Sequence, residues 1–201
     1  MTKIRHRKTC TGFTFFAISL GLLAIGATQA MAQDTPALYQ PDPDSPIGER
    51  NENAPPELAM YDFVIGDWDA TVTFTKPDGS TVEGKARWHN IWIGNGYVVM
   101  QEWRSPYTVG SEFRSYDAEQ KKWLGQNIYF NSDWRATEIE FSDGNMIVFN
   151  PHAKDKAGPF INRETYYDIG ENSFKIKSDR SYDGGKTWQP GIYAIAATRL
   201  R

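Results

Sequence analysis

Cysteine is almost absent from this 201-residue chain, which has one, Cys10, and histidine is scarce at three. With no cysteine beyond residue 10, the bulk of the chain has neither a disulfide framework nor thiol chemistry, so it must be held together by its core. His6, His89 and His152 are too few and too far apart, with no cysteine near, to give the ligand spacing of a zinc site, and no metal is expected. No run of basic residues follows the N-terminus. Nothing would neutralise a phosphate backbone, and nucleic acid is excluded as a partner on that ground. Long 3.6-residue apolar stripes are also missing after residue 66, which argues against βαβ units and parallel-sheet folds. No elbow motif marks a nucleophile, and no cofactor fingerprint is present.

The first residues differ from the rest. Lys3, Arg5, Arg7 and Lys8 precede an apolar stretch from Phe13 to Ala27, and Ala30-Met31-Ala32 supplies small residues before Gln33. Positive, apolar and A-x-A segments in that order predict a secretory signal peptide over 1–32 and a periplasmic location. The apolar run is too short and too rich in Gly, Ser and Thr for a membrane span. Cleavage removes Cys10, His6 and four of the 22 basic residues but none of the 25 acidic ones, leaving 18 basic residues against 25 acidic. Residues 33–54, punctuated by Pro36, Pro41, Pro43 and Pro46, read as a disordered linker. Residues 55–64 suit a short helix, with proline at its first turn and Glu57 early. The remainder, to 201, is one domain.

That domain alternates with a period of two. Trp68, Ala70, Val72 and Phe74 share one face of a strand, and Val82, Ala86, Trp88, Asn90 and Trp92 share a face of the next. Tyr97, Val99, Gln101 and Trp103 follow on one face, with Val98, Met100, Glu102 and Arg104 on the other. Further strands are predicted over 111–117, 122–130, 134–141, 145–149, 160–169, 172–182 and 187–199. Short turns rich in Gly, Asp and Asn, such as Pro77-Asp78-Gly79-Ser80 and Asp183-Gly184-Gly185-Lys186, join them as hairpins. The fold class is therefore all-β: an antiparallel up-and-down barrel of about 8–10 strands with a short N-terminal helix. An open two-sheet sandwich is the competing arrangement.

Tyr61-Asp62-Phe63-Val64-Ile65-Gly66-Asp67-Trp68 resembles the opening phrase, close to F-D-F-x-x-G-x-W, of a bacterial family of lipocalin-like proteins of unknown function. Gly94-Asn95-Gly96 before Met100-Gln101-Glu102-Trp103, Phe113-Arg114-Ser115-Tyr116-Asp117 before Trp123, and Ser181-Tyr182-Asp183-Gly184-Gly185-Lys186-Thr187-Trp188 fit the same pattern. The resemblance spans about residues 57–199. It implies a calycin-type barrel in which the Gly-x-Trp strand and the short helix close one end, and it brings no reaction with it. Haem-binding relatives of the architecture carry a late axial histidine. Residues 153–201 contain none, and His89 falls on the charged face of its strand.

Seven tryptophans (68, 88, 92, 103, 123, 134 and 188) make an aromatic-lined pocket for a small hydrophobic or aromatic molecule the leading expectation. Trp68 and Trp188 are assigned to packing, and Trp88, Trp92 and Trp103 to ligand contact. Polar residues on expected inner faces complete the candidate binding set: Gln126, beside Leu124, Ile128 and Phe130; Arg163 and Tyr167; and Arg180, beyond Ser178. Arg135 shares a face with Thr137, Ile139 and Phe141. A barrel arginine must be paired or reach water. The alternative function is acid/base chemistry in the same cavity by a lyase, isomerase or hydratase, with Glu102 and Arg180 as catalytic candidates. A side-chain-filled interaction module is the third reading. The oligomer expected is a monomer or homodimer.

Overall fold

The computed structural model describes residues 48–130 and 134–200, so the predicted signal peptide and residues 33–47 of the predicted linker lie outside the described residues. Among the described residues, ten strands follow a 3-10 helix, Pro56–Val64. They are β1 (Gly66–Thr75), β2 (Thr81–Ile93), β3 (Val98–Arg104), β4 (Val109–Asp117), β5 (Lys122–Tyr129), β6 (Arg135–Ser142), β7 (Asn145–Asp155), β8 (Gly158–Tyr167), β9 (Ser173–Ser181) and β10 (Gln189–Arg199). Each strand pairs with its sequence neighbours, and β1 pairs with β10, giving a closed antiparallel barrel. The sandwich is thereby excluded. Hairpin connectivity is what the Gly- and Asp-rich turns demand, and closure removes the edges that an open meander would expose.

One end of the barrel is filled. Leu58, Tyr61 and Val64 of the helix are fully buried and join Trp68, Trp92, Val99, Met146 and Phe174 in one apolar cluster. The Val64 carbonyl accepts the indole N–H of Trp68 at 2.7 Å and the amide of Asn90 at 2.8 Å, so one helix-end acceptor is shared by β1 and β2. Arg199 at the end of β10 stacks over Trp68, 4.2 Å from the ring centre. It donates to the carbonyls of Ile65 at 2.5 Å, Phe63 at 3.2 Å and Glu171 at 2.9 Å. Gly66 lies against this guanidinium with φ of +118°, and a Cβ there would meet Arg199 Nη1 at 2.5 Å. The Gly-x-Trp phrase thus has a physical reason: glycine makes the approach and tryptophan fills the base.

Residues 48–54, placed in the linker by the sequence reading, pack on this same end. Gly48 bridges Trp92, and Asn51 and Ala54 are buried. The Asn51 N–H donates to Gly96 O at 3.3 Å, where a Cβ on Gly96 would stand 2.2 Å from the Asn51 nitrogen.

Two strands turn the face opposite to that expected. On β5, Asn127 is buried, Tyr129 lines the interior and Trp123 packs on Tyr61, leaving Leu124 outside at 44% exposure, with Gln126 on the same outer face. On β8, Phe160, Asn162, Glu164 and Tyr166 point inward, so Arg163, Thr165 and Tyr167 are outside. Leu124 and Ile128 of β5 are on the outer surface because the interior beside Asn127 and Tyr129 is polar. β7 also runs further than predicted, to Asp155 rather than 149, with a register shift between Asn150 and Ala153. Pro151 cannot donate to a ladder and sits within that irregularity. His152 is therefore an exposed strand residue and not part of a loop.

Replacing Arg199 by Ala is expected to cost about 2 kcal/mol of unfolding free energy in chemical denaturation, since three carbonyls lose a charged donor. Removing Arg87, whose pair with Asp69 is exposed on both sides, is expected to cost under about 1 kcal/mol.

Candidate functional site

Above the apolar base the barrel is hollow. A cavity of about 290 Å³ opens towards the end carrying the β1–β2, β3–β4, β7–β8 and β9–β10 turns. Its aromatic wall is Trp88, Trp103, Phe160 and Tyr166, with Val72, Val148, Ile176 and Ile195 between them. Trp88 and Trp103 meet edge to face, 5.4 Å between ring centres. The Trp88 indole N–H is buried and has no hydrogen-bond partner among the described residues.

A row of polar side chains crosses five neighbouring strands, from Asn90 at the filled base to Arg135 at the mouth, and its members Glu112, Asn127 and Arg135 line the cavity. In register, Asn90 pairs with Gln101, Gln101 with Glu112, Glu112 with Asn127, and Asn127 with Arg135. Glu112 accepts from Arg114 Nη2 at 2.7 Å and from Asn127 Nδ2 at 3.2 Å, and the Tyr129 hydroxyl also donates to it. Arg114 donates as well to Asn127 Oδ1 at 2.7 Å and to the Phe113 carbonyl at 2.9 Å. The pair is sealed, its side chains 1% and 7% exposed. Both charges are thus satisfied, as burial requires.

A second carboxylate has no such partner. Glu164 on β8 accepts from the Tyr193 hydroxyl and, through the same oxygen, from Asn162 Nδ2 at 3.2 Å. Ser178 Oγ donates to Asn162 Oδ1 at 2.8 Å and holds that amide in place. No lysine or arginine nitrogen pairs with Glu164 among the described residues. Burial, followed by the nearby charge of Glu112, pushes its carboxyl up to about 7. Burial likewise raises the phenols of Tyr129, Tyr166 and Tyr193, which therefore remain neutral donors.

Two cations stand in the lining nearer the mouth. Arg180 pairs with Asp155 at 2.9 Å and lies over Phe160, 4.1 Å from the ring centre. Arg135, the first residue of β6, has no carboxylate partner among the described residues.

Of the residues picked from the sequence, Trp88, Trp103 and Arg180 line the cavity, as does Arg135. Trp92 points inward but belongs to the filled base. Gln126, Arg163 and Tyr167 face outward. Arg163 pairs with Asp179 at 2.6 Å and lies over Trp188 on the outer wall. Glu102 is also outside, bonded to Arg104 at 2.7 Å, which lowers its carboxyl below the usual range. That is the reverse of what a general acid or base at neutral pH requires. His89 bonds to Asp67 on the same outer surface. The sequence reading passed over Glu112, Arg114, Asn127, Tyr129, Asn162, Glu164 and Tyr193. The available clue was opposite charges two residues apart, Glu112 and Arg114, which share one face of a strand.

No group of three metal-ligating side chains occurs among the described residues, and no described helix is long and apolar enough to cross a membrane. Two predictions follow from this chemistry. Glu112→Ala leaves a buried guanidinium without its carboxylate and is expected to cost about 3–5 kcal/mol in denaturant unfolding. Glu164 binds its proton more tightly folded, at about 7, than at the ordinary 4.5 of an unfolded chain. The folded state then holds more protons between those values, so this group makes stability fall as pH rises across that window. Melting temperatures of wild type and Glu164→Gln measured from pH 4 to 8 are expected to differ in that slope, with the variant flatter.

No protein-family model matches the chain, and no curated protein matches it. Among solved structures, the chain is similar to an S-type phycobiliprotein lyase from Guillardia theta, at 9% identity and a TM-score of 0.46, over 71% of this chain and 92% of that one. It is similar also to Rv2717c from M. tuberculosis, at 12% identity and a TM-score of 0.46, over 73% of this chain and 99% of that one.

Proposed function

We propose that this protein is an exported binder of a small molecule with an apolar, ring-sized body, held in the barrel cavity. The observation that carries the reading is the cavity itself: about 290 Å³, lined by aromatic rings and by a few polar side chains. Small-molecule sites are concave, mostly apolar and equipped with a few placed polar groups, and they begin at about 300 Å³. The volume suits a compact ligand and is too small for a long lipid. The Tyr193–Glu164–Asn162 group supplies polar contacts for it. The lipocalin-like phrases from Tyr61 to Trp188 support the same reading, and the basic, apolar and Ala-Met-Ala segments of residues 1–32 support export.

A second reading, acid/base catalysis on the bound molecule, is favoured by one observation. Glu164 reaches about 7 in a cavity that also holds Arg180 and Arg135, so it is poised to exchange a proton near neutral pH. On this reading Glu164 takes the role that the sequence assigned to Glu102.

Titration with a panel of small aromatic compounds, followed by tryptophan emission, tests the binding reading. Saturable quenching or shift is expected for wild type, and Ala153→Phe, which projects a ring into the cavity from β7, is expected to weaken it about tenfold or more. Emission indifferent to the whole panel contradicts binding. Chemical conversion of a bound compound, lost in Glu164→Gln, distinguishes the enzyme from the carrier.

A further inference from the structure

Charge balance inside the barrel is uneven. Glu112 has Arg114, whose two terminal nitrogens donate to Glu112, Asn127 and a main-chain carbonyl, leaving only its buried Nε–H without a partner among the described residues. Arg180 has Asp155. Arg163, Lys175 and Lys177 are on the outer surface, the first two bound to Asp179 and Asp168. What remains unpaired among the described lining residues is one carboxylate, Glu164, and one cation, Arg135. Their positions decide which of them needs a partner. Arg135 is half-buried and begins its strand at the mouth, where water reaches it, so it gains little from pairing. Glu164 lies deeper, in register with Val148 and Ser178, with Asn162 and Phe160 between it and the mouth. An ionised carboxylate at that depth carries a desolvation penalty that a neighbouring cation would offset. Its two recorded bonds fall on one oxygen, Oε1. The other oxygen is left to the cavity, beside rings whose faces attract positive charge.

We propose that the molecule held in the cavity is a cation: a small protonated amine with an aromatic or alicyclic body, its ammonium group on Glu164. The proposal rests on the ligand-binding reading and adds the charge of the ligand to it. Binding then completes the site, supplying the positive charge that the protein withholds. It also makes affinity depend on pH. The titratable groups around Glu164 are Glu112 and Arg114 from β4, Tyr129 from β5, Tyr166 on its own strand and Tyr193 from β10. The phenols stay neutral and Glu112 keeps Arg114, so Glu164 is the group that changes charge near neutrality. Its free carboxyl, held up at about 7, must ionise to meet the ammonium, so affinity for the cation rises as pH climbs through that value.

Three probes of one shape decide the matter: tryptamine, indole-3-ethanol and indole-3-acetate, measured by calorimetry on the purified protein from pH 5.5 to 8.5. Tryptamine keeps its charge throughout, with an amine near about 10. It is expected to bind about tenfold or more tighter than indole-3-ethanol at pH 8.5, the worth of one charge-assisted hydrogen bond, and to lose that preference at pH 5.5. In Glu164→Gln, shown folded by near-ultraviolet circular dichroism, the preference for the amine over the alcohol is expected to vanish at every pH. If that variant does not fold, the wild-type pH profile decides alone. Tighter binding of indole-3-acetate, or equal binding of the amine and the alcohol at every pH, overturns the cation proposal and leaves the binding reading standing. Failure of all three to bind contradicts both.

Discussion

Pairing of β1 with β10 is the constraint on which everything else in this molecule depends. It runs from Trp68 opposite Arg199 to Phe74 opposite Tyr193, and it converts a ten-strand meander into a closed wall. Closure fixes which residue of every strand faces inward, because side chains alternate and a one-residue slip exchanges the two sets. It also creates an interior that side chains must fill or leave hollow. The same pairing brings Arg199 onto Trp68 and the carbonyls of Phe63 and Ile65, so closing the wall and plugging its base are one event. The base takes the apolar content of the helix and the tryptophans. The remaining interior is free to be polar.

That division explains how far the sequence could be read. Strand number, hairpin connectivity and the short helix followed from period-two alternation and from turns whose Gly, Asn and Asp leave little choice of conformation. The faces of β1 and β2 were legible because their inner residues, such as Trp68 and Trp88, are apolar, whereas on β3 candidates were drawn from both faces and only Trp103, not Glu102, lines the cavity. β5 and β8 were misread for the same reason inverted. The rule that apolar residues point inward placed Gln126 inside with Leu124 and Ile128, whereas the interior there takes Asn127 and Tyr129. Polar cavities defeat a rule built on dry cores. β7 was cut short because Pro151 and the charges after it look like a loop, and only strand pairing reveals an irregularity that tolerates them. Residues 48–54 were read as linker because local composition cannot register that Asn51 meets the Gly96 turn.

The site was legible only in part, and for a related reason. Trp88, Trp103 and Arg180 were found because aromatics and stray arginines on an inner face stand out. Glu112 and Glu164 were passed over because nothing in a single sequence says that a carboxylate is buried. Three-dimensional context gives them opposite conditions. Glu112 shares its surroundings with a guanidinium fixed by the same strand, while Glu164 faces a phenol, an amide and an open cavity. Two carboxylates in one enclosure, one neutralised and one not, supply both the rigidity of the polar wall and a group that responds to what enters.

The central claim is that the hollow above the apolar base holds a small molecule. Native mass spectrometry of the protein recovered from the cells that make it tests this most directly. The account predicts a one-to-one adduct of small mass that is released on denaturation and can then be identified. A protein that carries nothing, and whose experimentally determined interior is filled by Trp88, Trp103, Phe160 and Tyr166 with no cavity between them, would contradict it.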